Sequence, residues 1–383
     1  MIKNNFNTAW IVTLSLGLIG VILGLLLRVN FVQPLGFNFQ YVLHAHSHTM
    51  LLGWLLSALL LLLYRQWFYR LPTLDYLLFV AMQFCVLGML LSFPFQGYAA
   101  WSISFSSLHL VLSYALFIRL WRHSKKHPIL GIIVRFAIVF HVISSIGPFS
   151  LGPLMALQMQ DNPWYQQAIF FYLHFQYNGL LWFLTIALIG QKWITHPSRK
   201  ALVKIGVAMA TGTLLTWAHT LDFSFNHLLL NVLGFMGSAL QLLAGYWLLR
   251  PIHIKKQPKA VKWLILLLVA KLIVQVLGSF PAIADLVTGN RFWLLAYLHF
   301  IFLGIFSPLI FHFYLGFKSA FFLRFYWPFF FLTEIGLLLP ATFWNQIRLS
   351  QHQVILILYG LLVATWLALS FKGLKKCFRF SKI

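Results

Sequence analysis

The chain reads as a succession of apolar runs, each about 20 residues long and separated by short clusters of charge, Pro and Gly, and that length is what a helix needs to cross a bilayer. The pattern predicts twelve spans: Thr8–Leu27, His44–Leu63, Leu74–Phe93, Ala99–Leu120, Leu130–Leu151, Tyr165–Gly190, Leu202–Thr220, Leu228–Leu249, Val261–Ala282, Phe292–Phe313, Phe321–Leu339 and Val354–Leu374. No polar connection is long enough for a soluble domain, so residues 1–383 form a single polytopic transmembrane domain of all-α class. The first run has the length of a true span and no small-residue cleavage site after it, unlike a signal peptide. No repeat appears at a period of 20 to 50 residues, although an even number of spans leaves room for a distant duplication.

Charge gives the runs a direction. Of the 28 Lys and Arg, all but Arg28, Lys271, Arg291 and Arg348 fall in connections on one side, which places both termini in the cytoplasm. Lys271 lies inside the ninth span. With 61% apolar and 9% charged residues, the net charge of +23 reflects membrane topology, and a nucleic-acid partner is excluded in favour of lipid. The expected location is a bacterial-type inner membrane.

Candidate chemistry rests on histidine, because Cys85 and Cys377 cannot build a disulfide framework or a thiolate cage. Of fifteen histidines, His123, His127, His196, His253 and His312 lie in or near cytoplasmic connections, where a solvated role is expected. The other ten are His44, His46, His48, His109, His141, His174, His219, His227, His299 and His352, and they share a layer from mid-membrane to the outer face. Intramembrane histidine is costly, and a shared depth is what ligands of a cofactor held between helices require.

The strongest local signal is Tyr41-Val-Leu-His44-Ala-His46-Ser-His48-Thr-Met-Leu-Leu-Gly53-Trp54, which opens the second span. On a helix His44 and His48 share a face and His46 points away. Gly53 would let a flat macrocycle approach the backbone, and the His-x-His-x-His run also suits a surface metal ion. In span six, Gln167, His174, Tyr177 and Asn178 form one polar stripe that should line an internal cavity, where Tyr177 or Asn178 supplies a hydrogen bond or a proton. A structural hydrogen-bond network is the alternative there. Span seven ends at His219, and span ten carries His299 with Gly304 after it. Lys271 and Glu334 lie well inside spans and could pair, bound a proton route or meet a haem propionate.

Twelve spans with histidines on spans two, six, seven and ten resemble subunit I of the haem-copper oxidases. In motif the chain is closest to the cbb-type oxygen reductases and bacterial nitric oxide reductases, whose second span also begins His-Thr, as His48-Thr49 does here, and it also looks like the NnrS proteins of the nitric oxide response. The resemblance implies haem b with His48 and His299 as axial ligands, beside His44. It also implies copper at the positions of His174 and His219, a small diatomic gas as substrate or ligand, and an electron-donor subunit. Span ten carries one histidine where the oxidases carry His-x-His, and His219 has no histidine neighbour. Redox chemistry on nitric oxide or oxygen is therefore one expectation, and a non-enzymatic haem or copper sensor, carrier or assembly factor is another. A secondary transporter is the third.

Overall fold

A computed structural model of the protein describes residues 5–127, 129–194, 198–316, 319–339, 341–344 and 350–379. Lys3, His196, Lys318, Arg348 and Lys382 lie outside the described residues. The described residues are mostly helical and include no strand. The long helices are α1 (Asn5–Val32), α2 (Phe39–Trp67), α3 (Thr73–Gln96), α4 (Ala100–Ser124), α5 (Gly131–Ala156), α6 (163–193), α7 (Arg199–Phe225), α8 (Leu228–Leu249), α9 (Lys259–Leu277), α10 (Arg291–Leu315), α11 (319–338) and α12 (Gln351–Phe378). Ten of them are long and apolar enough to cross a membrane. The other two, α6 and α11, carry Gln167, His174, Gln176 and Asn178, and Arg324 and Glu334, which lower their apolarity.

Several element ends differ from the sequence expectation, and two have a clear local cause. Asn38 caps α2, its side-chain oxygen accepting from the Tyr41 N–H at 3.2 Å, so the helix starts well before His44 and the three histidines stand inside it. Helix α9 stops at Leu277, because Gly278 and Ser279 turn the chain and Pro281 opens a short separate helix, Pro281–Gly289.

The described chain forms two compact units, Met1–Leu116 with Leu295–Ile383 (unit 1) and Phe117–Leu294 (unit 2). In unit 1, α1 packs along α12 and α2 packs against α3. In unit 2, α7 packs against α8, where a Cβ on Gly212 would stand 2.7 Å from the Gly237 carbonyl oxygen, a separation only glycine permits.

A distant repeat is visible once helix geometry is known. His48, His174 and His299 are 126 and 125 positions apart, and each is followed five residues later by a glycine, Gly53, Gly179 or Gly304. Each also stands immediately before a π-helical segment, Thr49–Leu56, Phe175–Leu181 and Phe300–Phe306. Wider π-turns misalign backbone carbonyls, and in all three the carbonyl four residues after the histidine takes a side-chain donor. Ser57 donates to Leu52 O at 2.7 Å, Thr213 to Asn178 O at 3.4 Å and Tyr326 to Leu303 O at 2.9 Å. Beyond these histidines the helices are buried on all sides, over residues 51–64, 174–190 and 303–312. All three glycines are closely packed: their Cβ positions would press on Val86 and Leu16, on Phe140, and on Phe330.

Candidate functional site

Unit 1 holds the first group. His46 donates its Nδ1–H to the Gly20 carbonyl oxygen of α1 at 2.8 Å, and His299 on α10 donates its Nδ1–H to Glu334 Oε1 on α11 at 3.2 Å. The Gly20 carbonyl oxygen can only accept, which puts the His46 proton on Nδ1; with Glu334 ionised the same holds for His299. Both rings belong to unit 1, and with Nδ1 committed in each, Nε2 is the nitrogen left to bind. Arg28, Tyr359 and Glu334 interact there as well, Arg28 standing 5.9 Å from the Tyr359 ring centroid. Arg28 is therefore part of α1 and this cluster, where the charge pattern placed it in a connection. Gly24 makes room for the group: a Cβ there would fall 2.6 Å from Tyr359 Oη and 2.9 Å from His46 Cε1. Glu334 Oε2 is buried and has no hydrogen-bond partner.

His48 is turned the other way. Its Nδ1–H donates to the His44 carbonyl oxygen at 2.9 Å, and its ring lies against Phe93 and 3.5 Å from Tyr98 Oη. His44 stacks edge-on to Tyr98 at 4.6 Å. Within α2, then, the residue that shares a neighbourhood with His299 is His46, while His44 and His48 face α3 and its following turn.

In unit 2 the polar residues are tied to one another. His174 donates its Nε2–H to the Thr213 carbonyl oxygen at 2.9 Å and accepts at Nδ1 from Asn178 Nδ2 at 3.3 Å. His219 Nε2 meets Ser238 Oγ at 3.0 Å, and that hydroxyl donates on to Gln275 O. Gln275 donates to Gln241, which donates to Thr213. Tyr177 is buried, with its ring 6.2 Å from that of His174. Both ring nitrogens of His174 are thus occupied by protein, and a metal ion at His174 and His219 does not fit the side chains as they stand. Among the described residues no three of His, Cys, Asp and Glu are gathered to hold a metal ion.

The two buried charges have different surroundings. Glu334 serves His299, and Lys271 is fully buried with its Nζ 4.4 Å from the centroid of the Trp182 ring and without a hydrogen-bond partner. Elsewhere His141 accepts from Gln176 at 3.3 Å, His227 caps α8 through the Leu229 N–H, and His352 stacks on Phe31 at 5.1 Å. Sequence reasoning missed Arg28 and Tyr359, although the run Gly17, Gly20, Gly24 marked the α1 face that approaches His46. Comparison of the chain with protein-family models and with curated proteins finds no match.

Proposed function

We propose that this protein is a multi-pass membrane haem protein of twelve spans with cytoplasmic termini, akin to subunit I of the haem-copper oxidases, in which His46 and His299 hold a b-type haem. One observation carries the reading: two histidines on different helices of unit 1 each have their Nδ1–H anchored on an acceptor. Histidines that bind metals through Nε2 use their other nitrogen in this way, which fixes the tautomer and raises ligand basicity. Haem held there by His46 and His299 would supply one-electron chemistry and, were one histidine to leave the iron, a place for nitric oxide or oxygen.

The chain's own residues set the conditions. Gly20 and Glu334 orient the rings, the Glu334 carboxylate favours the more positive oxidation state, and Arg28 offers a cation for a haem carboxylate. A sensor or carrier role is favoured over turnover at a two-metal centre by the engagement of both His174 nitrogens.

A reduced-minus-oxidised spectrum with pyridine haemochrome quantitation tests the proposal on detergent-purified protein. The b-type signal should fall to background in His46→Ala and His299→Ala and persist in His48→Ala and His174→Asn. Loss in His48→Ala with retention in His46→Ala would return the ligand to His48. Purification without haem, after expression with haem supplied, would overturn the reading.

A further inference from the structure

Unit 2 contains a charge that its own side chains leave unmatched. Lys271 on α9 is 0% exposed, its Nζ stands 4.4 Å from the centroid of the Trp182 ring on α6, and it has no hydrogen-bond partner. The three acids of the unit are engaged or directed elsewhere: Asp222 accepts from the His227 N–H and from Asn231, and Asp161 and Asp285 are exposed. Four residues on from Lys271, one turn along α9, the side-chain oxygen of Gln275 is buried without a partner, and four residues before Trp182 on α6 the side-chain oxygen of Asn178 is in the same condition. A hydrogen-bonded chain sets these two turns at one level. Gln275 Nε2 donates to Gln241 Oε1 on α8 at 3.0 Å, Gln241 Nε2 to Thr213 Oγ1 on α7 at 2.8 Å, and Thr213 Oγ1 to the Asn178 carbonyl oxygen at 3.4 Å. Helices α6, α7, α8 and α9 therefore close a ring through contacts on two successive turns, and that ring carries one ammonium and two amide oxygens with nothing to bond. Buried polar atoms nearly always find partners, so three without them on one ring mark a position that a ligand completes.

We infer that this ring in unit 2, with Lys271, Gln275 and Asn178 as its contacts, is a binding site for a small oxyanion that carries its own O–H, of which bicarbonate is an example. The ammonium sets the sign of the ligand, because a charge in an apolar layer needs its opposite beside it, and a cation is repelled. The two amide oxygens set the rest. They can only accept, so they favour an anion that also donates a hydrogen bond over a bare one such as nitrate or chloride. A polar line leads to the ring from half-buried His219, whose Nε2 meets Ser238 Oγ at 3.0 Å, and that hydroxyl donates to the Gln275 carbonyl oxygen at 3.2 Å. Without the anion Lys271 keeps only the Trp182 face, and binding adds stability in proportion to occupancy. The site does not rest on the haem reading, since it shares no residue with it.

The test uses the full-length protein in detergent, in buffer freed of dissolved carbon dioxide and held at constant pH. Sodium bicarbonate is titrated in by calorimetry and its effect on the thermal transition followed, with sodium chloride and sodium nitrate at matched ionic strength as references. The wild type is expected to bind one equivalent of bicarbonate and to melt at a temperature that rises with its concentration. Lys271→Met should lose both responses, and Gln275→Leu should weaken binding at least about tenfold, the loss expected when a hydrogen bond to a charged ligand is removed. His46→Ala and His299→Ala should keep full affinity, whatever happens to haem. Bicarbonate binding in Lys271→Met equal to wild type would overturn the site. A wild-type response to bicarbonate no larger than that to chloride would overturn it too, leaving the ring to internal water. Equal affinity for nitrate would reject the requirement for an O–H and with it the proposed class of ligand. Should Gln275→Leu not fold, Lys271→Met and Lys271→Gln carry the test, and affinity retained in both rejects the proposal.

Discussion

The histidines of the two units look alike in sequence and differ in what their second nitrogen does. In unit 1, His46 and His299 each spend Nδ1–H on a protein oxygen and keep an Nε2 lone pair, while His48 also meets the Tyr98 hydroxyl through Nε2. In unit 2, His174 has both nitrogens engaged, and His219 joins a chain through Ser238, Gln275, Gln241 and Thr213. A satisfied imidazole in apolar surroundings holds helices together, whereas one anchored on one side only is prepared to bind. The number of histidines and their depth do not separate these roles.

The largest test of that contrast is haem content, expected to vanish in His299→Ala and to survive in His174→Asn, measured side by side by pyridine haemochrome. Next is the unit 2 network: Gln241→Leu strands the Gln275 amide, and should cost about 1–3 kcal/mol of stability without touching haem. Thermal unfolding followed by tryptophan fluorescence in detergent checks it, and an unchanged transition would show that the network is not structural. Lys271→Met runs in the opposite direction. Removing a buried ammonium that has only the Trp182 face beneath it should stabilise unit 2 by about 1–3 kcal/mol, the cost of an unsatisfied buried donor. A destabilised variant would mean that Lys271 has an acceptor in the membrane. The smallest effect is on potential. Glu334→Gln removes the negative charge beside His299 while keeping an oxygen for its Nδ1–H, so the haem midpoint should rise in a redox titration and haem content should stay near wild type.

Much of the architecture was legible in the residues. Runs of about 20 apolar positions fix where helices form because a backbone in lipid must satisfy its own hydrogen bonds, so the all-helical, multi-pass character follows from composition and run length alone. Helix ends were less legible, as the Asn38 cap and the break at Gly278 illustrate, since both depend on local hydrogen bonding rather than hydropathy. The His-x4-Gly repeat was present in the sequence but inconspicuous, as a few matches at a distance of 126 positions leave no short-period signal.

The pairing of side chains was decided by tertiary structure. Spacing along α2 separates His46 from His44 and His48, but it cannot say which face meets α1 and α10 and which meets α3. That depended on Gly20 and Gly24 letting α1 approach His46, and on Asn38 setting where the helix begins. Likewise His174 and His299 occupy the same position of the repeat, and only the neighbours supplied by other helices, Asn178 and Thr213 for one and Glu334 for the other, make the first a structural group and leave the second with a nitrogen to offer. The sequence determined a succession of apolar helices that carry many histidines, because hydropathy acts along the chain. Which of them face one another was settled by packing, which acts between helices far apart in that chain.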